Sequence, residues 1–355
     1  MEYIHQMIKE VLNDNQSSAL ATIVHVEGSA YRREGASMVV KRDDSRMGVL
    51  SGGCLEKDLH YRAKEMFNTG KTAVYQYDLS AEDDLGWGLG AGCNGIISVL
   101  VRDIDEDFKS SLLLLNKQLS QKEPVLFIQS MKDFTQYFFV SRNGETFGDW
   151  QKEIPIEVEN IVHHTTPFYK LAETMEIAGE NCFVQLLWPK PDMYIIGAGE
   201  DARPLARLAE NTGYAVHMLD WREGLCSETY FPTAYSLQVG KVGELIENIS
   251  LSPLDSVVIM THDFHRDTKI VRYLLSYPLF YLGILGSKKR TERLLGGGVP
   301  DWIHSPIGLS IGAEGPAEIA VSVVAELIAL KNGGMRSESG RDLSRSGNKS
   351  ANGNK

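Results

Sequence analysis

The sequence predicts an α/β protein with a C-terminal doubly wound parallel sheet and an N-terminal mixed α/β domain. Two observations lead to this prediction. From residue 191 onward, short apolar strands alternate with helical segments, which is the pattern of parallel βαβ units. Before residue 189, strands rich in β-branched residues follow one another across polar turns, with fewer helices between them.

The C-terminal part opens with an apolar strand at 193–196, which leads into a turn of pattern G-x-G-x-x-A at Gly197, Gly199 and Ala202. The first glycine allows a tight turn, the second lets a pyrophosphate approach the backbone, and the small third residue allows close helix–strand packing. Asp220 ends the next strand 21 residues beyond Gly199, where a carboxylate can accept hydrogen bonds from a ribose. This context predicts a Rossmann-like fold, whose turn is either a nucleotide site or a plain scaffold.

These patterns divide the chain into three segments. Residues 1–188 form the predicted N-terminal domain, which includes a middle segment, and residues 191–331 form the Rossmann-like domain. The stiff sequence Pro-Lys-Pro at 189–191 separates them. Residues 332–355 contain mainly Gly, Ser, Asn, Arg and Lys with almost no apolar residue, so we expect a disordered tail.

Composition limits the class of partner and the compartment. A net charge of −11 disfavours sequence-independent nucleic-acid binding and binding to an anionic membrane. The sequence has no long uncharged apolar window and no signal-peptide pattern, so it predicts a cytoplasmic protein without a membrane span. The scattered cysteines contain no C-x-x-C pair and indicate neither a disulfide framework nor a zinc site; they are Cys54, Cys93, Cys182 and Cys226.

A second glycine-rich turn, Gly52-Gly53-Cys54, leads into a predicted helix that runs to about residue 67. Unpaired N–H groups at a helix start can bind an anion, and they would stabilise a thiolate at Cys54 and lower the pKa of its thiol. On the residues alone, a buried and unreactive thiol is the alternative interpretation.

Two loops of the same domain carry further candidate residues. The loop at 86–95 has five glycines around Cys93, which indicates either positive φ angles with close backbone approach or a mobile surface loop. The loop at 27–36 carries Arg32 and Arg33 between glycines. The sequence leaves open whether the two cysteines face one pocket.

Polar residues follow two later strands of the C-terminal domain. The segment 261–267 contains His262 and His265 at a strand end, the place where doubly wound sheets bind their ligands. These histidines are either metal ligands or hydrogen-bonding loop residues. The basic run at 288–290 is either a phosphate site or a solvated helix face.

Several segments match a known family in the expected order and cover most of the chain except its middle and its tail. In the first domain they are ATIVHVEGSAYRREGASMVV, GVLSGGCLEKDL and WGLGAGCNGIISVLV. In the second they are YIIGAGEDARPLARLAENTGYAVHMLDWREG, VVIMTHDFHRD, YLGILGSKKR and SPIGLSIGAEGPAEIAV. With these segments the chain resembles the xanthine dehydrogenase accessory factors, the XdhC/CoxI family.

The resemblance implies a chaperone-like protein that binds molybdenum cofactor, holds it for sulfuration and supports its insertion into an apo hydroxylase of the xanthine dehydrogenase type. It also implies a cysteine desulfurase as a partner, and a homodimer. Cys54 and Cys93 match the family's glycine-flanked cysteines, and soft thiolates suit molybdenum or persulfide chemistry. The candidate cofactor-binding residues are Cys54, Cys93, Gly52, Gly53, Arg32, Arg33, Gly197, Gly199, Asp220 and His262.

Two residues depart from the family pattern. Glu200 places a negative charge in the phosphate-binding turn and Trp221 crowds the ribose edge, which disfavours conventional NAD binding. An NAD(P)-dependent oxidoreductase with His262 or His265 as acid–base group is the first alternative function, although no proton-relay arrangement follows the nucleotide-type domain. A nucleotide-sensing regulatory module is the second alternative.

Overall fold

The computed structural model describes residues 4–14, 16–53, 55–79 and 95–333. The first of its three sheets is antiparallel, with strand order β3-β2-β1-β5-β4. Helix α1 precedes this sheet and α2 connects its third strand to its fourth. The elements are α1 (Ile4–Asn13), β1 (Ser18–Gly28), β2 (Ser37–Lys41), β3 (Arg46–Gly48), α2 (Glu56–Met66), β4 (Thr72–Asp78) and β5 (Gly95–Asp103).

The second sheet is also antiparallel and has the order β8-β7-β6-β10-β9. It accounts for the middle of the chain, where the sequence predicted only some of the strands. Its elements are α3 (Glu106–Ser120), β6 (Val125–Ser130), β7 (Tyr137–Ser141), β8 (Thr146–Asp149), α4 (Ile156–His164), β9 (Ala172–Ile177) and β10 (Glu180–Leu187).

The two antiparallel sheets have the same topology. In each, three strands form a meander, a helix follows, and two further strands return so that the fifth strand pairs with the first. The second hairpin turns, between β2 and β3 and between β7 and β8, correspond in detail, because Lys41 N donates to Ser45 O at 2.9 Å and Ser141 N donates to Glu145 O at 3.0 Å. The N-terminal half of the described chain is therefore a structural duplication that the sequence did not predict.

The third sheet has six parallel strands in the order β13-β12-β11-β14-β15-β16. Its central strands β12, β11 and β14 are buried on both faces, which explains their largely apolar sequences. Its strands are β11 (Asp192–Ile196), β12 (Ala215–Asp220), β13 (Ser236–Val239), β14 (Ser256–Ile259), β15 (Tyr281–Ile284) and β16 (Ile303–His304). Its helices are α5 (Ala202–Asn211), α6 (Val242–Glu247), α7 (Phe264–Leu274), α8 (Lys288–Leu295) and α9 (Pro316–Lys331). The predicted fold class, a Rossmann-like sheet behind an N-terminal mixed α/β region, is confirmed.

The parallel sheet contacts the second antiparallel sheet with the amino ends of its strands. Phe280, just before β15, lies 4.6 Å from the ring of Phe168 in an edge-to-face arrangement. Lys122 Nζ lies 2.7 Å from the carboxylate of Asp192, the first residue of β11. The carboxyl ends of the parallel strands therefore lie at the far edge of the sheet from this contact.

Among the described residues, no helix is long and apolar enough to cross a membrane. The expected disordered tail from 334 onward lies outside the described residues. The cytoplasmic location and the boundaries of the domains stay predictions.

Candidate functional site

Three loops leave the same edge of the first sheet. In its antiparallel ladder, Gly28 at the end of β1 pairs with Gly95 at the start of β5, and Asp78 at the end of β4 pairs with Ile96. Gly48 at the end of β3 pairs with Met38 near the start of β2. The segments 29–36, 49–55 and 79–94 therefore begin at one edge, which we call the loop edge.

Both candidate cysteines fall on loops of this edge. Cys54 and Cys93 themselves lie outside the described residues, so the structure gives no account of their side chains. The neighbouring side chains of Leu50, Leu55 and Leu79 are buried in one apolar cluster. The described flanks of the two cysteines thus belong to one region of the fold.

A small network of hydrogen bonds between Ser51 and Glu56 holds the Gly52-Gly53 turn in place. The carboxylate of Glu56, at the start of α2, accepts the backbone N–H of Ser51 at 2.8 Å and also the hydroxyl of Ser51. The Ser51 oxygen in turn accepts the N–H groups of Gly53 and Leu55 at 3.2 and 3.1 Å. Burial raises the pKa of the Glu56 carboxyl, but the hydrogen bonds from Ser51 outweigh burial and hold its pKa below the ordinary value. Glu56 is therefore ionised at neutral pH and positions the turn.

A close approach of backbones joins two of the loops. A Cβ atom at Gly95 would lie 2.3 Å from Glu27 O and 2.8 Å from Ser29 O. Only glycine fits at this position. The end of the Cys93 loop is therefore held against the start of the loop that carries Arg32 and Arg33.

Arg32 and Arg33 line a cavity of about 360 Å³ between the two antiparallel sheets. Lys170 of the second sheet region adds a third positive charge to its lining. Glu34 is the single carboxylate among the described lining residues, and it accepts the N–H of Val26 at 3.0 Å. The positive charge of this cavity suits an anionic group such as a phosphate.

The Rossmann turn has the predicted shape. Gly197 has φ +113°, and a Cβ atom there would lie 2.4 Å from Met260 O, so the turn packs against the end of β14. Asp220 is completely buried, and its carboxylate accepts the N–H of Ala198 at 2.6 Å. The same carboxylate receives the Arg222 guanidinium through two hydrogen bonds of 2.9 and 2.7 Å. Its acceptor positions are thus used within the protein.

Two more acidic groups and a histidine surround this turn. Glu200 is exposed, and Asp201 accepts His262 Nε2 at 2.6 Å. A Cβ atom at Gly199 would lie 2.7 Å from the Asp201 carboxylate. These carboxylates reduce the positive potential that the start of α5 would otherwise offer to a phosphate.

Two arginine side chains make cation–π contacts with Trp221, the residue after Asp220. Trp221 has the guanidinium of Arg222 at 4.4 Å and that of Arg266 at 4.0 Å from its ring centroid. In the basic run at 288–290, Arg290 is paired with buried Asp267 at 2.6 Å. One of the three cations of that run is therefore structural.

The candidate residues form two groups. Gly52, Gly53, Arg32 and Arg33 lie around the loop edge and its cavity. Gly197, Gly199, Asp220 and His262 lie around the turn at the carboxyl edge of the parallel sheet. Among the described residues, no hydrogen bond or ion pair joins the two groups.

Sequence reasoning missed the residues that position the candidates. Ser51 and Glu56 hold the glycine turn, Lys170 lines the arginine cavity and Arg222 neutralises Asp220. Ser51 and Glu56 are five positions apart, not the three of a capping box, so no standard helix-start pattern signalled their contact. Arg222 lies only two positions after Asp220, so this pair was also visible in the local sequence. Lys170 meets Arg32 and Arg33 through a contact between distant parts of the chain, which no local pattern records.

The described cysteines outside the loops are structural. Burial raises the pKa of the Cys182 thiol to about 11 and also raises that of Cys226. Within the described part of the chain, no group of three or more His, Cys, Asp or Glu residues has the arrangement of a metal site. The described residues therefore leave Cys54 and Cys93 as the thiols with a candidate role.

Comparison with known proteins assigns the chain to a family. Residues 11–78 match the model of the XdhC and CoxI family, 106–188 the model "BH1974-like, central domain", and 193–327 the XdhC Rossmann domain. Over 332 residues the chain is 40% identical to a probable xanthine dehydrogenase subunit of Bacillus subtilis (strain 168), covering 93% of this chain and 98% of the relative. The chain belongs to the XdhC and CoxI family.

Two further relatives of this XdhC and CoxI family member are informative. A crystal structure of a xanthine dehydrogenase from Bacillus halodurans matches it with a TM-score of 0.83 at 36% identity, covering 97% of this chain and 98% of that one. The "Molybdenum cofactor insertion chaperone PaoD" of Escherichia coli (strain K12) is 25% identical over 330 residues, which are 91% of this chain and 86% of the relative. The three matched family models fall on the three sheets in turn.

Proposed function

We propose that this protein is a maturation factor that binds molybdenum cofactor as its cargo and supports insertion of the cofactor into a xanthine dehydrogenase-type hydroxylase. The hydroxylase in its apo form and a cysteine desulfurase are the proposed partners. The protein holds the cargo while it is sulfurated, and it works as a homodimer in the cytoplasm.

Sequence similarity to named relatives along most of the chain supports the proposal. One relative, aligned over 91% of this chain, carries the name of a molybdenum cofactor insertion chaperone. Another, aligned over 93%, is named as part of a probable xanthine dehydrogenase. Both alignments run through the regions of all three sheets of this chain, so the similarity is not confined to one domain. Since fold alone does not establish function, the proposal also needs a site.

The loop edge is the single structural observation that carries the proposal. The flanks of Cys54 and Cys93 meet there beside a cavity that Arg32 and Arg33 line. In the proposed complex the arginines bind the phosphate of the cargo as bidentate donors. A thiolate at Cys54 or Cys93 contacts the molybdenum, because soft sulfur ligands suit this metal.

The Rossmann turn does not support the oxidoreductase alternative. Conventional NAD binding uses the acidic residue at the end of β12 for the ribose, but Asp220 is buried and bonded to Arg222 and Ala198. The carboxylates of Glu200 and Asp201 also oppose a pyrophosphate at the start of α5. We therefore interpret this domain as a scaffold for the partners or the cargo.

The test is the cofactor content of protein purified from a molybdenum-replete host. We expect wild-type protein to carry molybdenum and a fluorescent pterin, measured by elemental analysis and by fluorescence after oxidation. Cys54→Ala, Cys93→Ala and the double variant Arg32→Ala/Arg33→Ala should each lower the bound molybdenum about tenfold or more, a loss typical for metal-site residues. Loaded wild-type protein should activate an apo hydroxylase in vitro, and the variants should not.

Two matched controls separate a site from a general loss of folding. Cys226→Ser replaces a buried thiol whose Sγ already contacts Met218 O at 3.6 Å, and Arg42→Ala removes an exposed arginine outside the cavity. Both should keep the wild-type cofactor content. Full loading of the Cys54 and Cys93 variants, or wild-type protein without molybdenum, would show the proposal to be wrong.

A further inference from the structure

A second cavity has Lys170 in common with the arginine cavity. It has a volume of about 300 Å³, within the range of small-molecule sites. Its lining comes from α1, the segment 188–191 and the C-terminal ends of α5 and α9. It therefore lies where the first helix, the linker and the Rossmann-like region meet, and none of the described candidate site residues lines it.

The lining is basic in an acidic protein. It contains Lys9, Lys170, Lys190 and Lys331. Across the described ranges, no carboxylate lies within ion-pair distance of Lys9, Lys170 or Lys190. Glu210 is the single carboxylate among the described lining residues, and one of its oxygens already accepts the hydroxyl of Thr233.

Two helix ends offset part of this charge. The C-termini of α5 and α9 border the cavity, and each carries a partial negative charge of about one half. Together with Glu210 they balance about two of the four ammonium groups. Lys331 also contacts the rings of Phe168 and Tyr214. Without it, a surplus of about one positive charge remains on Lys9, Lys170 and Lys190, so neutralising the helix ends does not account for all the lysines.

The lysines repel one another and the nearby imidazole. Burial and the ammonium group of Lys9 lower the pKa of Lys190. Burial, with the charges of Lys190 and other lysines, lowers the pKa of His5 to about 4. His5 is thus neutral, and its Nε2 lies 3.0 Å from Trp188 O, to which it donates. Groups held together against their mutual repulsion are typical of a site that binds an opposite charge.

We propose that this cavity binds a phosphate-bearing small molecule, with Lys9 and Lys190 bonded to the phosphate. Lysine binds phosphate as a point charge, and two or more ammonium groups suit a dianion. An occupant would contact α1, the linker, α5 and α9 at once and so tie the N-terminal and C-terminal regions together. The phosphate belongs either to a free nucleotide or to the proposed cargo, and the site itself does not depend on which.

The test uses full-length protein from a host that cannot make molybdenum cofactor. Isothermal titration with inorganic pyrophosphate and with AMP should show binding. In the double variant Lys9→Ala/Lys190→Ala the affinity should fall about tenfold or more, because two charge-assisted hydrogen bonds are lost. The control Lys117→Ala/Lys132→Ala removes the same charge from lysines outside the lining and should bind like wild type.

Two further measurements distinguish a ligand site from a structural role. Without ligand, Lys9→Ala/Lys190→Ala should unfold at the same or a higher urea concentration, since the repulsion is relieved. Pyrophosphate should also shift the imidazole NMR resonances of His5 in wild-type protein. A lower unfolding midpoint, unshifted His5 resonances or equal binding by both double variants would overturn the proposal.

The source of the phosphate is decided with cofactor-loaded protein. If loading abolishes pyrophosphate binding, the cargo supplies the phosphate; if binding persists, the ligand is a separate nucleotide-type molecule. Both results support the cavity as a phosphate site. Cys54→Ala should bind pyrophosphate like wild type, so failure of the proposed cargo function and failure of this site give different results.

Discussion

Single side chains at the carboxyl edge of the parallel sheet take the places where a dinucleotide would bind. The Asp220 carboxylate accepts the N–H of Ala198 in the glycine turn and the guanidinium of Arg222. The guanidinium groups of Arg222 and Arg266 both lie over the ring of Trp221. At the scale of residues, the turn is held together by the groups that would otherwise contact a ribose and a base.

We predict that Asp220→Ala lowers the free energy of unfolding by about 2 kcal/mol, because the Ala198 N–H and the Arg222 guanidinium lose their acceptor. The figure is modest because Arg222 is partly exposed and solvent screens its charge. Urea unfolding measures the effect. Glu223→Ala, an exposed neighbour, is the control and should leave stability unchanged.

The effect of Asp220→Ala should depend on pH. Burial raises the pKa of the Asp220 carboxyl, but the hydrogen bonds from Arg222 and Ala198 outweigh burial, so its pKa is lowered in the folded state. A lowered carboxyl pKa gives stability that is complete above the ordinary value of about 3.9 and is lost as the pH falls through the folded value. The difference between variant and wild type should therefore shrink below about pH 4, and a difference that grows in acid would contradict this account.

At the scale of elements, the two duplicated antiparallel sheets both require a glycine at the same position of their third strand. Gly48 and Gly148, at equivalent places in the third strands, have φ of +98° and +125°. A Cβ atom would lie 2.4 Å from Ser37 O at the first site and 2.7 Å from Tyr137 O at the second. Each glycine lets a short edge strand lie close to its neighbour, so both copies need glycine for the same reason.

We predict that Gly48→Ala and Gly148→Ala each lower the free energy of unfolding by more than about 2 kcal/mol, since a positive φ and a backbone clash act together. Gly144→Ala is the matched control, because Gly144 has φ +85° but open space around its Cα. It should cost only about 1 kcal/mol. Equal losses at all three positions, measured by urea unfolding, would show that the close approach contributes nothing.

At the scale of the whole molecule, α1 is joined to the linker before the Rossmann-like sheet. His5 Nε2 donates to Trp188 O at 3.0 Å, although the two residues are 183 positions apart. Burial, together with the positive charges of Lys190, Lys122 and Lys331, lowers the pKa of His5 to about 4. The imidazole is therefore neutral in the folded protein over a pH range in which a free histidine takes up a proton.

We predict that stability falls between about pH 6.5 and pH 4 by up to about 3 kcal/mol, because the unfolded chain binds a proton at His5 that the folded chain does not. The contribution is complete above pH 6.5 and lost in acid. His5→Gln should flatten this part of the pH profile of urea unfolding. His164→Gln, at an exposed position, should keep the wild-type slope, and a wild-type slope in His5→Gln would refute the prediction.

Much of the fold was predictable because its signals are local. The apolar strand at 193–196, the strand that ends at Asp220 and the helix that ends near residue 67 all lie near their predicted places. The helix α7 was missed, since its start in a polar segment resembles a loop. The pairing of β9 with β10 was missed because its polar, half-exposed residues carry a weak strand pattern.

The sequence by itself determined the parallel sheet, the glycine turns and the family. Each of these follows from a pattern that can be recognised within a few tens of residues: the hydrophobic periodicity, the spacing of glycines, or a segment that matches the family. Only the tertiary structure decided that Arg222 fills the acceptors of Asp220, that Lys170 joins Arg32 and Arg33, and that the first two sheets repeat one topology. The last two facts depend on contacts between residues far apart in the chain, and the first depends on the folded shape of the turn after β12, where Arg222 follows Asp220 by two positions. Such contacts follow from packing and charge compensation in three dimensions, which a one-dimensional pattern does not contain.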